Sequence, residues 1–224
     1  MKFFIGAFSA FLLLSCATKL QTNNVMLADV DPITVGEVEM QLDKAFSSKL
    51  DTTTAEVVFN PRDNTVFLEF KYQFVTYRQF WNEPDRSRFI TAVDQYHKDF
   101  DAQNLIDRIS RTQHIYGTVS AKTEWQSLKF AQWFRSFPTI ELGYGFNQKN
   151  PYLILLQRSA ADVSRAASDT KTDSLQITMY FTRNQAKELA DFFDQSFLLA
   201  HLGNQPQRAT PQVDQYGTQP EPAP

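Results

Sequence analysis

The chain has 224 residues and a net charge of −3 at pH 7, and its 22 basic residues are dispersed along it. That distribution excludes the basic footprint by which proteins hold nucleic acid or anionic lipid. A single cysteine excludes intramolecular disulfides, Cys-rich zinc sites and thiol catalysis in the folded part, so stability must come from packing. Twenty Phe and eight Tyr against seven Gly point to a sheet whose large side chains face a helical layer.

Lys2 precedes an apolar run from Phe3 to Leu14, the anatomy of a secretory signal. It is too short for a transmembrane helix, which needs about 20 apolar residues. The ending Leu13-Leu14-Ser15-Cys16 resembles the lipobox of bacterial lipoproteins, in which a small residue precedes an invariant cysteine. The resemblance covers residues 1–16 only. It implies a signal peptide over 1–15, cleavage behind Ser15, and lipidation of Cys16 by two or three acyl chains, enough to hold a membrane stably. The bland alternative is an ordinary secretory signal with an incidental cysteine. Ala17 follows the cysteine, and the analogy with enteric bacteria, where Asp there favours the inner membrane, points to the outer one. Residues 16–32 are polar and mixed and read as a tether, and residues 33–202 as a single α+β domain. Residues 203–224, rich in Pro and Gln, cannot repay their ordering entropy and are expected to be a disordered tail.

Within 36–50, Val38, Leu42, Ala45, Phe46 and Leu50 keep helical spacing, so a short amphipathic helix is expected. The segments AEVVFN and NTVFLEFKYQFVTY form a hairpin through Asn60-Pro61-Arg62-Asp63, a turn sequence because Pro presets φ and Asn and Asp bond their own backbone. In the second, Val66, Leu68, Phe70, Tyr72 and Phe74 alternate with polar residues along one strand. Pro84 suits a first helical turn, and Phe89, Val93, Tyr96 and Phe100 recur at three and four, giving a helix from Glu83 with a break near 101–104. Strand patterns return in residues 114–127, TIELGYGF, PYLILLQRS and SLQITMYFT. Thr182 and Gln185 match a capping box ahead of a helix over 183–201. Together these predict an α+β fold, a mainly antiparallel sheet of about five to six strands packed with two amphipathic helices.

Candidate chemistry is sparse. Asp94, His97 and Asp101 fall at i, i+3 and i+7 on the first helix, a spacing that suits a metal or an acid–base pair but equally a solvated helix face. No nucleophile elbow or phosphate-binding glycine loop is present, and no cofactor is expected. In TIELGYGF, if Ile140, Leu142, Tyr144 and Phe146 face the core, Gly143 and Gly145 leave bare backbone on the opposite face. Trp125 and Trp133 are candidates to cover that strip, as is a partner. The leading expectation is therefore a non-enzymatic, lipid-anchored envelope protein that binds another envelope protein. The alternatives are a carrier of an apolar ligand, suggested by the abundance of Phe, and a hydrolytic or metal-dependent enzyme using the Asp94 face.

Overall fold

The computed structural model describes residues 26–43, 49–107, 114–127, 132–164 and 173–204. The signal, Cys16 and residues 17–25 of the tether lie outside the described residues, as do residues 205–224 of the tail.

Inward residues at every second position build the strands. In β1 (Ile33–Asp43), Val38, Met40 and Leu42 are buried while Glu37 and Glu39 are exposed. The same alternation buries Ala55, Val57 and Phe59 in β2 (Leu50–Asn60) and Val66, Leu68 and Phe70 in β3 (Thr65–Tyr72). β4 (Val75–Trp81) leads into α1 (Glu83–Asp101), whose N-cap Asn82 accepts from the Asp85 amide at 2.9 Å. Then come β5 (Ile115–Ser120), β6 (Lys122–Ser127), β7 (Trp133–Ser136), β8 (Thr139–Asn147), β9 (Asn150–Gln157) and β10 (Ile177–Phe181). The described chain ends with α2 (Arg183–Phe193) and α3 (Gln195–Gly203).

The ten strands described form one sheet in the order β5-β8-β9-β10-β1-β2-β3-β4-β6-β7, antiparallel at every pairing. The sheet curls into a half-barrel. Its two extremities are halves of one long hairpin: Ser120 opposes Thr139 and Thr123 opposes Ser136 in a single register, kinked at Ala121 on one arm and Phe137-Pro138 on the other. One half of that hairpin pairs with β4 and the other with β9. The curl brings Gln79 of β4 onto Gln157 of β9, the Gln79 amide donating to the Gln157 oxygen at 2.7 Å. Backbone beyond β9 borders β7, where the Val163 amide donates to the Arg135 carbonyl at 2.8 Å.

The concave face is the core. Phe89, Val93 and Tyr96 of α1 and Ala186, Leu189 and Phe193 of α2 pack onto it, and Trp81, Phe89 and Phe193 meet with ring centroids 5.1–5.9 Å apart. Arg86, 1% exposed, ties the helices together. Its guanidinium donates to the carbonyls of Asn64, Trp81 and Phe193 and to the side-chain oxygens of Asn64 and Gln195.

The expected five to six strands and two helices are thus corrected to a sheet-dominated half-barrel with ten strands and three helices among the described residues. Residues 36–43 are strand, not helix: Val38 and Leu42 are four apart, which satisfies both periods, and burial of the sheet face selects period two. The single strand expected over 64–77 is a hairpin turning at Gln73 and Phe74, with φ of 47° and 64°. Neither is glycine, so the usual turn signal is missing. The expected strand over 114–127 divides at Ala121, and β7 is short enough to escape periodicity altogether. The helix expected over 183–201 breaks at Asp194, which is extended and caps α3 by accepting from the Phe197 amide at 2.9 Å.

Candidate functional site

The convex face of β1, β2, β3, β4, β6 and β7 carries the most ordered array of functional side chains. The register sets Glu37 opposite Glu56, Glu56 opposite Glu69, Glu69 opposite Arg78, Arg78 opposite Glu124, and Glu124 opposite Arg135. One charged row therefore crosses six strands. Arg78 bonds Glu69 at 2.6 Å, and Glu124 is held by Arg135 at 3.0 Å and Lys122 at 3.3 Å. An adjoining row runs Val58, Phe67, Phe80, Lys122. Lys122 Nζ sits 3.6 Å from the Phe80 ring centroid, and the Arg78 guanidinium 4.4 Å from that of Trp133. Such cation–ring contacts contribute about 0.5–1 kcal/mol at exposed sites.

Charge along the row is uneven. Toward β7 the signs alternate and neutralise. Toward β1, Glu37 and Glu56 oppose one another directly, and the Glu56 carboxylate accepts from the Thr34 hydroxyl instead of a cation. Like charges at directly opposite positions destabilise a sheet by a few tenths of a kcal/mol, up to about 1.

The residues singled out by sequence do not converge. Trp125 is 4% exposed on the concave face and stacked on Phe134, whereas Trp133 lies outside under Arg78. Gly143 and Gly145 are covered by this chain itself. A Cβ on Gly143 would lie 2.3 Å from the His114 carbonyl oxygen, and one on Gly145 2.4 Å from Ile154 Cδ1. On α1, Asp94 is exposed, His97 Nε2 is 3.2 Å from the Arg183 carbonyl oxygen, and Asp101 pairs with the Arg183 guanidinium at 2.9 Å. His97 and Asp101 thereby dock α1 onto the start of α2. No group of three metal-ligating side chains forms among the described residues. In sequence the outer charged row shows only as Glu37, Glu56 and Glu69 each standing one place from an inward apolar residue, and nothing there aligns them.

Burial shapes the titrating groups. Desolvation lowers Arg86 to about 10, opposed by the neighbouring Glu83 charge. It pushes Tyr96 up to about 12 and raises Tyr77 further. Tyr116 is raised by burial and by its hydroxyl donating to Asp99 at 2.9 Å. An open cleft of about 490 Å³ lies between α1 and the edge strand β5, lined by Ser87, Arg88, Thr91, Gln95 and Tyr116 among others. A second, of about 250 Å³, lies on the convex face between Glu37, Thr54, Glu56, Glu69 and Lys71. No described helix is long and apolar enough to cross a membrane.

Fold and face together define an antiparallel half-barrel, filled by helices on its concave side and presenting a charged, aromatic sheet surface outside. The chain belongs to the family described as "Uncharacterised Treponema protein", whose model matches residues 32–200, from the residue before β1 to within α3. It is similar to an "Uncharacterized protein" of Treponema pallidum (strain Nichols), 23% identical over 210 residues covering 90% of this chain and 74% of that protein. No solved structure matches it.

Proposed function

We propose that this protein is a lipid-anchored, non-enzymatic interaction module of the bacterial envelope, held to the membrane through Cys16 and binding an envelope protein through its outer sheet face. The observation that carries the reading is the contrast between the two faces. The concave face is filled by side chains of α1 and α2, while the convex face of β1 to β4 keeps Glu37, Thr54 and Lys71 exposed. A sheet face bearing ordered charges and rings, without a covering layer among the described residues, is built for contact with another surface. The lipobox-like end of the signal supports the anchor, and the family match begins only after the stretch read as tether. The choice of the outer over the inner membrane rests on Ala17.

Two measurements test this. Labelled fatty acid should enter the wild type and not Cys16→Ser, and the variant should leave the membrane fraction; equal labelling of both removes the anchor. A photocrosslinking side chain at Thr54 should trap one discrete partner in intact cells, whereas the same probe at Asp94, on the far side of α1, should not. Adducts of equal yield at both positions would remove the face from consideration.

A further inference from the structure

We infer that the free edge of β5 receives an extended segment of a partner protein as an added strand, laid in the cleft between β5 and α1. This surface is separate from the convex face, so the inference goes beyond the reading above and either can fail alone.

The two extremities of the sheet are finished differently. At β7 the chain covers its own edge: the Val163 amide donates to the Arg135 carbonyl at 2.8 Å, and the Asp162 carboxylate accepts from the Arg135 amide at 3.3 Å. β5 pairs with β8 on one side, and on the other no strand or loop among the described residues bonds its backbone. The path of the chain explains the gap. β4 runs beside β6 as far as Phe80 opposite Lys122 and then turns into α1 at Asn82, so where the hairpin arm continues as β5 a helix stands in the place of a strand. A helix spends its backbone groups on itself and cannot satisfy a strand edge. Charge, proline or bulges usually guard such an edge. Ile115–Ser120 holds neither charge nor proline, and its one irregularity, between Ile115 and Gly117, leaves Gly117 to Ser120 in regular register.

The space beside that edge matches an extended chain. The cleft of about 490 Å³ is bounded by Gly117 and Thr118 of β5 and, across from them, by Ser87, Thr91 and Gln95 of α1. Tyr116 ties β5 to α1 beside the cleft, its hydroxyl donating to Asp99 at 2.9 Å. A Cβ on Gly117 would meet nothing within 4 Å, so the strand is uncrowded there. A segment paired along all of β5 would run about 20 Å, with its backbone bonded to the edge and small polar side chains turned to the hydroxyls and amide of α1. Those polar groups disfavour an apolar ligand. A second folded copy is disfavoured too, because its own β5 is recessed beside its own α1 and the two helices would meet before the two edges. A slender extended segment, free of proline where it pairs, enters without that obstacle.

Random twelve-residue peptides displayed on phage serve as the probe, depleted on a Thr91→Trp protein and then selected on the full-length wild type in detergent. Thr91 is exposed on the α1 wall, so tryptophan there fills the cleft without entering the core. A peptide should be enriched, and its fluorescein-labelled form, read by anisotropy, should bind Thr91→Trp about tenfold more weakly or worse, the worth of one or two hydrogen bonds. Gly117→Val, which narrows the cleft from the strand side, should weaken binding likewise, and melting curves establish that each variant is folded. Asp94→Trp, exposed on α1 and outside the cleft, should change binding by less than about twofold. N-methylation of alternate peptide residues should abolish binding while methylation of the intervening ones should not, because a strand bonds an edge through every second residue. The absence of any enriched peptide would overturn the proposal. So would a peptide that binds Thr91→Trp and Gly117→Val as tightly as the wild type, or one whose binding ignores N-methylation or loses equally at every residue. None of these outcomes depends on Cys16 or on crosslinking from Thr54.

Discussion

Gly143→Ala probes the tightest backbone contact in the sheet. A Cβ there meets the His114 carbonyl oxygen at 2.3 Å and the His114 carbonyl carbon at 3.1 Å. Real contacts of this kind do not fall below 3.0 Å, so the two must part by about 0.7 Å at least. The obstacle is backbone, not the end of a side chain. It lies just ahead of a register shift between Ile115 and Gly117, and the His114 ring is 4.3 Å from that of Tyr144, which resists a local slide. Forcing β5 outward should cost about 1–3 kcal/mol. Alanine returns about 0.5–1 kcal/mol because glycine weakens a strand interior. The net loss spans about 0–2.5 kcal/mol with its midpoint just above 1 kcal/mol, which corresponds to a melting temperature lower by a few degrees and by up to roughly 10 °C for a chain of this size. Two neighbours calibrate the result. Gly145→Ala meets only the tip of Ile154, which can rotate away, and should change stability by less than about 1 kcal/mol. Gly117→Ala meets nothing within 4 Å and should be neutral or slightly stabilising. Differential scanning calorimetry on the three variants should therefore rank Gly143→Ala lowest. A Gly143→Ala protein melting at or above the wild type would refute the claim that the chain's own backbone closes this strip.

Arg86→Met removes the donor shared by Asn64, Trp81, Phe193 and Gln195, leaving buried oxygens at about 1–3 kcal/mol each where water cannot reach them. A urea midpoint implying a loss of about 3 kcal/mol or more is expected, and a near-neutral effect would mean that the staple is ornamental. Tyr96 is raised from 10.0 to about 12, so its contribution to stability is whole below pH 10 and is lost as the pH climbs toward 12, at up to about 1.4 kcal/mol per unit. Urea midpoints measured at pH 8 and pH 11 should accordingly fall further for the wild type than for Tyr96→Phe, and parallel falls would contradict the assignment. Thr182→Ala breaks a capping box whose Gln185 side chain accepts from the Thr182 amide at 2.9 Å, and it should cost about 1 kcal/mol in the same assay.

Local chemistry was legible wherever one or two residues decide the backbone. Asn60 to Asp63 announced the β2–β3 turn, Pro84 and the stripe from Phe89 to Phe100 announced α1, and Thr182 with Gln185 announced the start of α2. The lipobox-like Leu13-Leu14-Ser15-Cys16 is likewise read from sequence alone, and Cys16 lies outside the described residues. Turns without glycine or proline were invisible. Gln73 and Phe74 adopt left-handed φ because the β3–β4 ladder, from Val66 opposite Trp81 to Tyr72 opposite Val75, holds both strands in place. Propensity at the two turn residues argues the other way.

Where a segment read as strand, as from Val66 to Tyr72, the sequence by itself determined which side chains point inward, because the pleat sends alternate residues to opposite faces whatever the neighbouring strand happens to be. It could not determine which residues stand side by side. The alignment of Glu37, Glu56, Glu69, Arg78, Glu124 and Arg135 is a matter of register between strands as far apart as 98 positions in the chain, from 37 to 135. Register is decided by how the buried faces interlock and how the sheet curls, and a slip of one residue would turn every one of those charges into the core. The cover over Gly143 has the same origin: His114 reaches it only because β5 pairs with β8, a contact made by tertiary closure and written in no local pattern.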